Sequence, residues 1–103
     1  PIREWLYIDD ASKTIFESFN ISEESIEPVN IAQGKGFSIA ETAHLIAKGI
    51  GFKGKIVFND SYQDGDSIKI LDNTLFNKRF KDHKFEDHYQ GILKTIHYYK
   101  SKY

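Results

Sequence analysis

The apolar pattern near the end of the chain restricts the fold more than any other feature. Between residues 85 and 99, apolar side chains recur mostly at three- and four-residue spacing, which predicts an amphipathic helix of about 15 residues. The residues concerned are Phe85, Tyr89, Ile92, Leu93, Ile96 and Tyr99. Because one face of such a helix must be buried, we expect the preceding residues to form a surface on which it packs.

A second helix is predicted upstream by a capping box. Ser38 is followed three residues later by Glu41, so the hydroxyl can accept the amide of the third helical residue while the carboxylate turns back. Apolar residues then follow at helical spacing, and glycines end the pattern. These residues are Ile39, Ala43, Ile46 and Ile50, followed by the glycines Gly49 and Gly51.

Acidic residues predict the starts of two further helices. They are Asp9, Asp10 and Asp72. The first two precede a helix over residues 11–19, with Ile15 and Phe19 as its expected buried stripe. The third is the expected N-cap of a short helix that follows it directly.

Short apolar runs between the helices predict strands. They cover residues 5–8, 29–32 and 55–58, and a turn centred on Asp64 and Gly65 follows the third run. The resulting order, strand–helix–strand–helix–strand–helices, predicts a small α/β unit with too few strands for a large sheet. At 103 residues, we expect residues 1–103 to form a single domain that buries roughly 65% of the unfolded chain's surface.

Composition excludes several classes of protein. The chain has no cysteine, which argues against thiol chemistry. Its net charge of −1 argues against nucleic acid as a partner. Its apolar runs are too short to span a membrane, so a cytoplasmic protein is expected. The second half is basic, which would suit an anionic ligand, although a solvated basic surface is the favoured interpretation.

No catalytic or metal-binding set is predicted. The four histidines lack the three- or four-residue spacing of a helical metal site; they are His44, His83, His88 and His97. The turn at residues 34–36 precedes a helix but lacks a complete phosphate-loop or dinucleotide pattern, so a plain strand-to-helix turn is favoured. No serine lies in a nucleophile elbow.

Two cations are candidates for binding an anion. Arg3 lies just before the first predicted strand and its guanidinium can grip a diphosphate, while Lys69 follows the predicted turn and would add a point charge. Spacing alone favours structural roles for both residues. Arg3 would pair with Glu4 or Asp9 at the surface, and Lys69 would be an exposed strand residue.

Six segments resemble, in chain order, sequence blocks of one enzyme family. They are REWLYIDD at residues 3–10, PVNIAQGKG at 28–36, SIAE at 38–41, GFKGKIVF at 51–58, DGDSIKILD at 64–72 and ILKTIHYY at 92–99. Together they are similar to the C-terminal substrate-binding part of extended short-chain dehydrogenase/reductases, the NAD-dependent epimerase/dehydratase family. The resemblance is greatest to the GDP-L-fucose synthase-like branch, which acts on nucleotide sugars.

The resemblance implies that this chain is part of a longer enzyme. In the family, an N-terminal Rossmann domain binds NAD(P) and carries the catalytic residues, while the C-terminal part closes over the nucleotide sugar. The parent is therefore expected to be an epimerase, reductase or dehydratase and a homodimer. The chain itself would bind no cofactor and have no catalytic residue. Its expected partners are the nucleotide sugar and its own Rossmann domain.

The resemblance also assigns the two cations a role. Arg3 and Lys69 hold the positions of a family arginine and a family lysine that contact the nucleotide. The chain departs from the family blocks at Tyr7, at Ala32 and over residues 66–68, where one basic residue of the loop is lost. A non-enzymatic α/β binding or interaction module stays open as the alternative, and the reading frame upstream of Pro1 would distinguish the two.

Overall fold

The structure is a computed structural model that describes residues 1–19, 28–59, 61 and 65–103. In these residues, three very short strands alternate with helices. The elements are β1 (Ile2–Arg3), α1 (Ile8–Ser18), β2 (Phe37–Ser38), α2 (Ile39–Ile50), β3 (Ile68–Lys69), α3 (Thr74–Arg79) and α4 (His88–Lys102). The predicted α/β character and the predicted order of strands and helices are both observed.

The three strands form one small mixed sheet with β1 at its centre. The strand order is β2-β1-β3; β1 is antiparallel to β2 and parallel to β3. The ladder extends beyond the strands, because the Ile2 amide donates to the Ser67 carbonyl at 2.7 Å and the Glu4 amide to the Lys69 carbonyl at 3.2 Å. The sheet therefore joins the start of the chain to residues 67–69.

All three predicted strands are wrong in position. The first observed strand, β1, precedes residues 5–8, and Ile8 already begins α1. Residues 29–32 and 55–58 are also not in strands, whereas β2 and β3 lie further along the chain. Ala32 is fully buried, so its apolar character reflects packing without strand pairing, and Val57 is 77% exposed. Of the predicted turn centre, Asp64 lies outside the described residues.

Helix α2 confirms the capping-box prediction at its start. The Ser38 hydroxyl accepts the Glu41 amide at 3.0 Å, and the helix ends at Gly51, whose φ of 74° is left-handed. Glycine is favoured there because a β-carbon strains the backbone in that region.

Helix α4 is present but starts three residues later than predicted, because Asp87 caps it by accepting the Gln90 amide at 3.2 Å. Phe85 consequently lies before the helix, where its ring contacts Phe76 in a tilted arrangement and His83 edge-on. Helices α2 and α4 pack closely. A β-carbon on Gly49 would lie 2.6 Å from Ile96.

The predicted buried face of α1 is wrong. Ile15 is 55% exposed and Phe19 is 82% exposed, whereas Asp10 and Thr14 are buried. The face that packs on the rest of the chain is polar because it meets polar groups. The Asp10 carboxylate accepts the Glu86 amide at 2.9 Å, and Thr14 donates to the Asp10 carbonyl.

The N-cap of α3 is one residue later than predicted. Asn73 holds the N-cap position without a side-chain hydrogen bond, while Asp72 accepts both the amide and the hydroxyl of Thr74. These hydrogen bonds lower the pKa of the Asp72 carboxyl below its usual value. Asp72 therefore does form hydrogen bonds with the first turn of α3, although it precedes the N-cap residue.

The core is much smaller than the length of the chain predicts. Among the described residues, the buried hydrophobic side chains are those of Ala32 and Phe76. The accessible surface is 8281 Å², whereas a compact monomer of this mass exposes roughly 6,000 Å². The radius of gyration is 16.5 Å, against about 13 Å for a compact domain of this length. Within the part of the chain that the structure describes, no helix is long and apolar enough to cross a bilayer.

Candidate functional site

The two candidate anion-binding residues lie side by side in the sheet. Arg3 on β1 and Lys69 on β3 are register partners in the parallel pair. Neighbouring strands are about 4.8 Å apart, and residues in register project to the same face. Residues that are 66 positions apart in sequence therefore present two positive charges on one face of the chain's small sheet.

The Arg3 side chain is held by backbone carbonyls. Its Nη1 donates to the Ile2 carbonyl at 2.9 Å and to the Asp66 carbonyl at 2.8 Å. The predicted surface ion pair with Glu4 or Asp9 is wrong, because the described residues contain neither contact. The N–H groups of Nε and Nη2 have no partner among those residues. Such N–H groups can donate to an oxyanion in the forked geometry that suits phosphate.

Lys69 is more exposed and is weakly paired. Its Nζ lies 3.9 Å from the Asp66 carboxylate, and both side chains are largely exposed. Such a surface pair contributes about 0–1 kcal/mol, so an incoming anion can displace it at little cost. Asp66 contacts both cations, one through its carbonyl and the other through its carboxylate, and therefore lies at the centre of this site.

The glycine-rich turn at residues 34–36 is explained by packing. A β-carbon on Gly36 would lie 2.5 Å from Ile2 and 2.7 Å from Ile70, and one on Gly34 would lie 2.6 Å from Asn73. Gly34 also has a φ of 72°. Close packing beside the turn therefore accounts for both glycines. The predicted strand-to-helix turn is wrong, because residues 29–32 are not in a strand and the turn leads into β2.

Glu4 also contributes hydrogen bonds in this region, a role that the sequence did not predict. Its two carboxylate oxygens accept the amides of Gln33 and Leu71, each at 2.8 Å. Both partners are backbone groups, so they leave no trace in the sequence pattern. The only available signal is that Glu4 directly follows Arg3 in the first block of the family resemblance.

A second group of charged side chains lies under α1, away from Arg3 and Lys69. The His83 side chain is fully buried, with Nε2 3.6 Å from Asp10 and Nδ1 3.9 Å from Glu17, and neither ring nitrogen is hydrogen-bonded within the described residues. Phe76 and Phe85 contact the ring in edge-on arrangements. This group joins α1 to the segment before α4.

Two further features lie around α4. Lys94 donates to Glu86, which raises the pKa of Lys94, and partial burial together with the Asp9 hydrogen bond raises the pKa of Tyr7. An apolar groove of about 610 Å³ runs between α2 and α4 and is lined by side chains that include Ile46, Ile96 and Tyr99. Neither feature adjoins the two cations.

Comparison with known proteins identifies similar sequences. The chain is 33% identical over 97 residues to GDP-L-colitose synthase of Yersinia pseudotuberculosis, a match that covers 94% of this chain and 31% of that protein. It is 33% identical over 86 residues to GDP-L-fucose synthase of Escherichia coli K12, covering 76% of this chain and 27% of that protein. It is 30% identical over 105 residues to GDP-L-fucose synthase of Dictyostelium discoideum, covering 100% of this chain and 32% of that protein. No family model matches the chain, and no solved structure matches it.

Over most of its length the chain is similar to GDP-L-fucose synthases and to GDP-L-colitose synthase, which confirms the resemblance to the GDP-L-fucose synthase-like branch predicted from the sequence. The chain spans less than a third of the length of each of the three relatives just described. Their names are those of enzymes, as predicted for the parent protein.

Proposed function

We propose that this chain is the nucleotide-sugar-binding part of an NAD(P)-dependent nucleotide-sugar epimerase, reductase or dehydratase, with a GDP-sugar as substrate. The observation that carries the proposal is the parallel register of Arg3 and Lys69, which places two cations on one face of the sheet. A diphosphate carries charge on both phosphoryl groups, so a forked guanidinium and a neighbouring ammonium complement it. The names of the relatives support guanosine as the base.

In this proposal the chain binds the nucleotide sugar, and the rest of the parent protein carries out the reaction. The turn at residues 34–36 lacks a complete dinucleotide-binding pattern, so the cofactor would bind to the remaining part of the protein. Hydride and proton transfer would occur there as well. Arg3 and Lys69 would hold the diphosphate, and the sugar would extend from it towards the bound cofactor.

The exposed face of α1 supports a close association with that remaining part. Ile8, Ile15, Phe16 and Phe19 are 68%, 55%, 72% and 82% exposed, and their spacing places them on one side of the helix. Apolar surface of this extent on a helix favours burial against another protein surface. Together with the small core, it supports docking of this chain onto the dinucleotide-binding part of its own parent.

Two measurements test the proposed function. In the full-length parent, isothermal titration calorimetry is expected to detect GDP binding, and UDP is expected to bind more weakly. The 103-residue chain by itself is expected to show no turnover with a GDP-sugar and NADPH. Turnover by the isolated chain would contradict the division of roles, and a parent that binds neither nucleotide would contradict nucleotide-sugar binding and favour the non-enzymatic module.

A further inference from the structure

Glu4 links three segments of the chain around the two cations. Its Oε2 accepts the Gln33 amide and its Oε1 accepts the Leu71 amide, both at 2.8 Å. Gln33 precedes the turn that leads into β2, and Leu71 follows β3 by two residues. Glu4 itself follows β1. One carboxylate therefore ties the central strand to the chain segments of both neighbouring strands.

The three strands have few other means of holding their relative positions. Each is two residues long, so the ladder supplies few hydrogen bonds. Both bonds to the Glu4 carboxylate are charge-assisted and join backbone groups, which makes them stronger than neutral bonds and geometrically specific. A second link reinforces the first, because Gln33 Nε2 donates to the Trp5 carbonyl at 2.6 Å.

Glu4 does not belong to the anion-binding group itself. Successive residues of an extended segment project to opposite faces, so the side chains of Glu4 and Arg3 leave the backbone on different sides of the sheet. Both Glu4 oxygens are engaged by amides, and no ion pair joins Glu4 to Arg3 among the described residues. The carboxylate thus leaves the positive charge of Arg3 available.

We propose that Glu4 is a positioning residue that fixes the separation of Arg3 and Lys69, and so sets the affinity for a nucleoside diphosphate. The inference rests on the proposed function. Two cations bind a diphosphate well only when their spacing matches that of the phosphoryl groups, and a displacement of about 1 Å can cost a large factor in binding or rate. Without the carboxylate, residues 33–36 and 70–73 lose their common anchor, and β3 can shift relative to β1.

The experiment compares three variants of the full-length parent, with GDP as the titrated ligand. Glu4→Gln keeps the size of the side chain but places an amide group against one of the two backbone N–H donors. Glu4→Asp keeps the charge but shortens the reach. Asp10→Asn is the matched control, because Asp10 also accepts one distant backbone amide, that of Glu86, far from the cations.

The GDP dissociation constant is expected to rise about ten-fold in Glu4→Gln and less in Glu4→Asp, and to stay unchanged in Asp10→Asn. The Michaelis constant for NADPH is expected to stay unchanged in both Glu4 variants. Amide hydrogen exchange at Gln33 and Leu71 is expected to become faster in Glu4→Gln. A purely structural role would instead lower the melting temperature of both Glu4→Gln and Asp10→Asn without a selective loss of GDP affinity, and that result would overturn the inference.

Arg3→Ala separates failure of the inference from failure of the proposed function. If Arg3→Ala weakens GDP binding while neither Glu4 variant does, the positioning role is wrong and the nucleotide site stands. If neither Arg3→Ala nor the Glu4 variants weaken GDP binding, the proposed site is wrong and the positioning role falls with it. Should Glu4→Gln fail to fold, Glu4→Asp provides the same comparison with a milder change.

Discussion

Arg3 Nη1 donates to the carbonyl of Asp66 at 2.8 Å, while the carboxylate of the same Asp66 lies 3.9 Å from Lys69 Nζ. One residue of the loop before β3 thus contacts both cations of the candidate site, and it does so through different atoms. The contact through the carbonyl leaves the charge of Arg3 unneutralised, whereas the contact through the carboxylate opposes any anion that approaches Lys69. We therefore expect removal of the Lys69 charge to weaken anion binding and removal of the Asp66 carboxylate to strengthen it.

The first prediction concerns Lys69 and Asp66 in the full-length parent. Lys69→Met removes a point charge and is expected to raise the KM for the nucleotide sugar about three- to ten-fold, corresponding to roughly 0.7–1.4 kcal/mol. Asp66→Asn keeps the carbonyl that binds Arg3 but removes the competing carboxylate, so the same KM is expected to fall. Steady-state kinetics measure both changes, and a rise in KM for Asp66→Asn would show that the carboxylate assists binding.

The second prediction concerns the close approach at Gly36. In Gly36→Ala the new β-carbon meets Ile2 and Ile70 at 2.5 and 2.7 Å, and such overpacking costs about 1–3 kcal/mol. In Gly65→Ala the nearest atom, Arg3 Nη2, is 3.6 Å away, so a change within about 0.5 kcal/mol is expected. Urea denaturation of the parent measures both values. Equal stabilities would mean that residues 34–36 do not pack on the sheet as described.

The third prediction follows from the environment of His88. The ring stacks on Phe37 with centroids 4.1 Å apart and is hydrogen-bonded to Thr42 at 3.0 Å. Partial burial lowers the pKa of His88 below its ordinary value of 6.5. Since the unfolded state takes up the proton first as pH falls, the His88 contribution to the free energy of unfolding is full above pH 6.5 and declines below it.

A comparison of variants isolates the His88 contribution. The difference in unfolding free energy between the parent and His88→Leu is expected to narrow as pH falls below 6.5. His97, which is exposed on the same helix, provides the control, and His97→Gln is expected to retain the pH dependence of the parent. A difference that stays constant with pH would show that His88 is not held in a desolvated environment.

The fourth prediction tests the docking of α1. In the full-length parent, Phe16→Ser is expected to destabilise the protein by about 2–4 kcal/mol, because a phenylalanine that is 72% exposed in this chain would be buried there. Lys13→Ser changes an exposed polar residue of the same helix, whose pair with Glu17 is exposed, and is expected to change stability by less than about 0.5 kcal/mol. Thermal unfolding measures the stability change of each variant. Similarly small changes in both variants would contradict a role of the apolar face in docking.

The sequence predicted those features that local chemistry determines. The capping box at Ser38, the glycine end of α2 and the apolar stripe of α4 all depend on residues within one or two turns, and each is observed with a shift of at most three residues. The pattern of apolar residues failed where burial depends on a distant partner. Ile15 and Phe19 were expected to be buried in this chain but are exposed in it.

The candidate site was predictable only in part. Arg3 and Lys69 were chosen for their charge and for the family resemblance, and their adjacency depends on a parallel register that spacing in the sequence does not reveal. The carbonyl partners of Arg3 and the amide partners of Glu4 are backbone groups. Every residue carries such groups, so a sequence contains no signal for which of them will be bonded.

The most direct test is a double-mutant cycle on GDP binding by the full-length parent, measured by isothermal titration calorimetry. Arg3→Ala is expected to raise the GDP dissociation constant about ten-fold or more, since one charge-assisted contact contributes roughly 1.5–3 kcal/mol. Lys69→Met is expected to raise it less, and the double variant is expected to differ from the sum of the two because both groups bind one diphosphate. Unchanged GDP affinity in Arg3→Ala, with the protein folded, would contradict the assignment of the site.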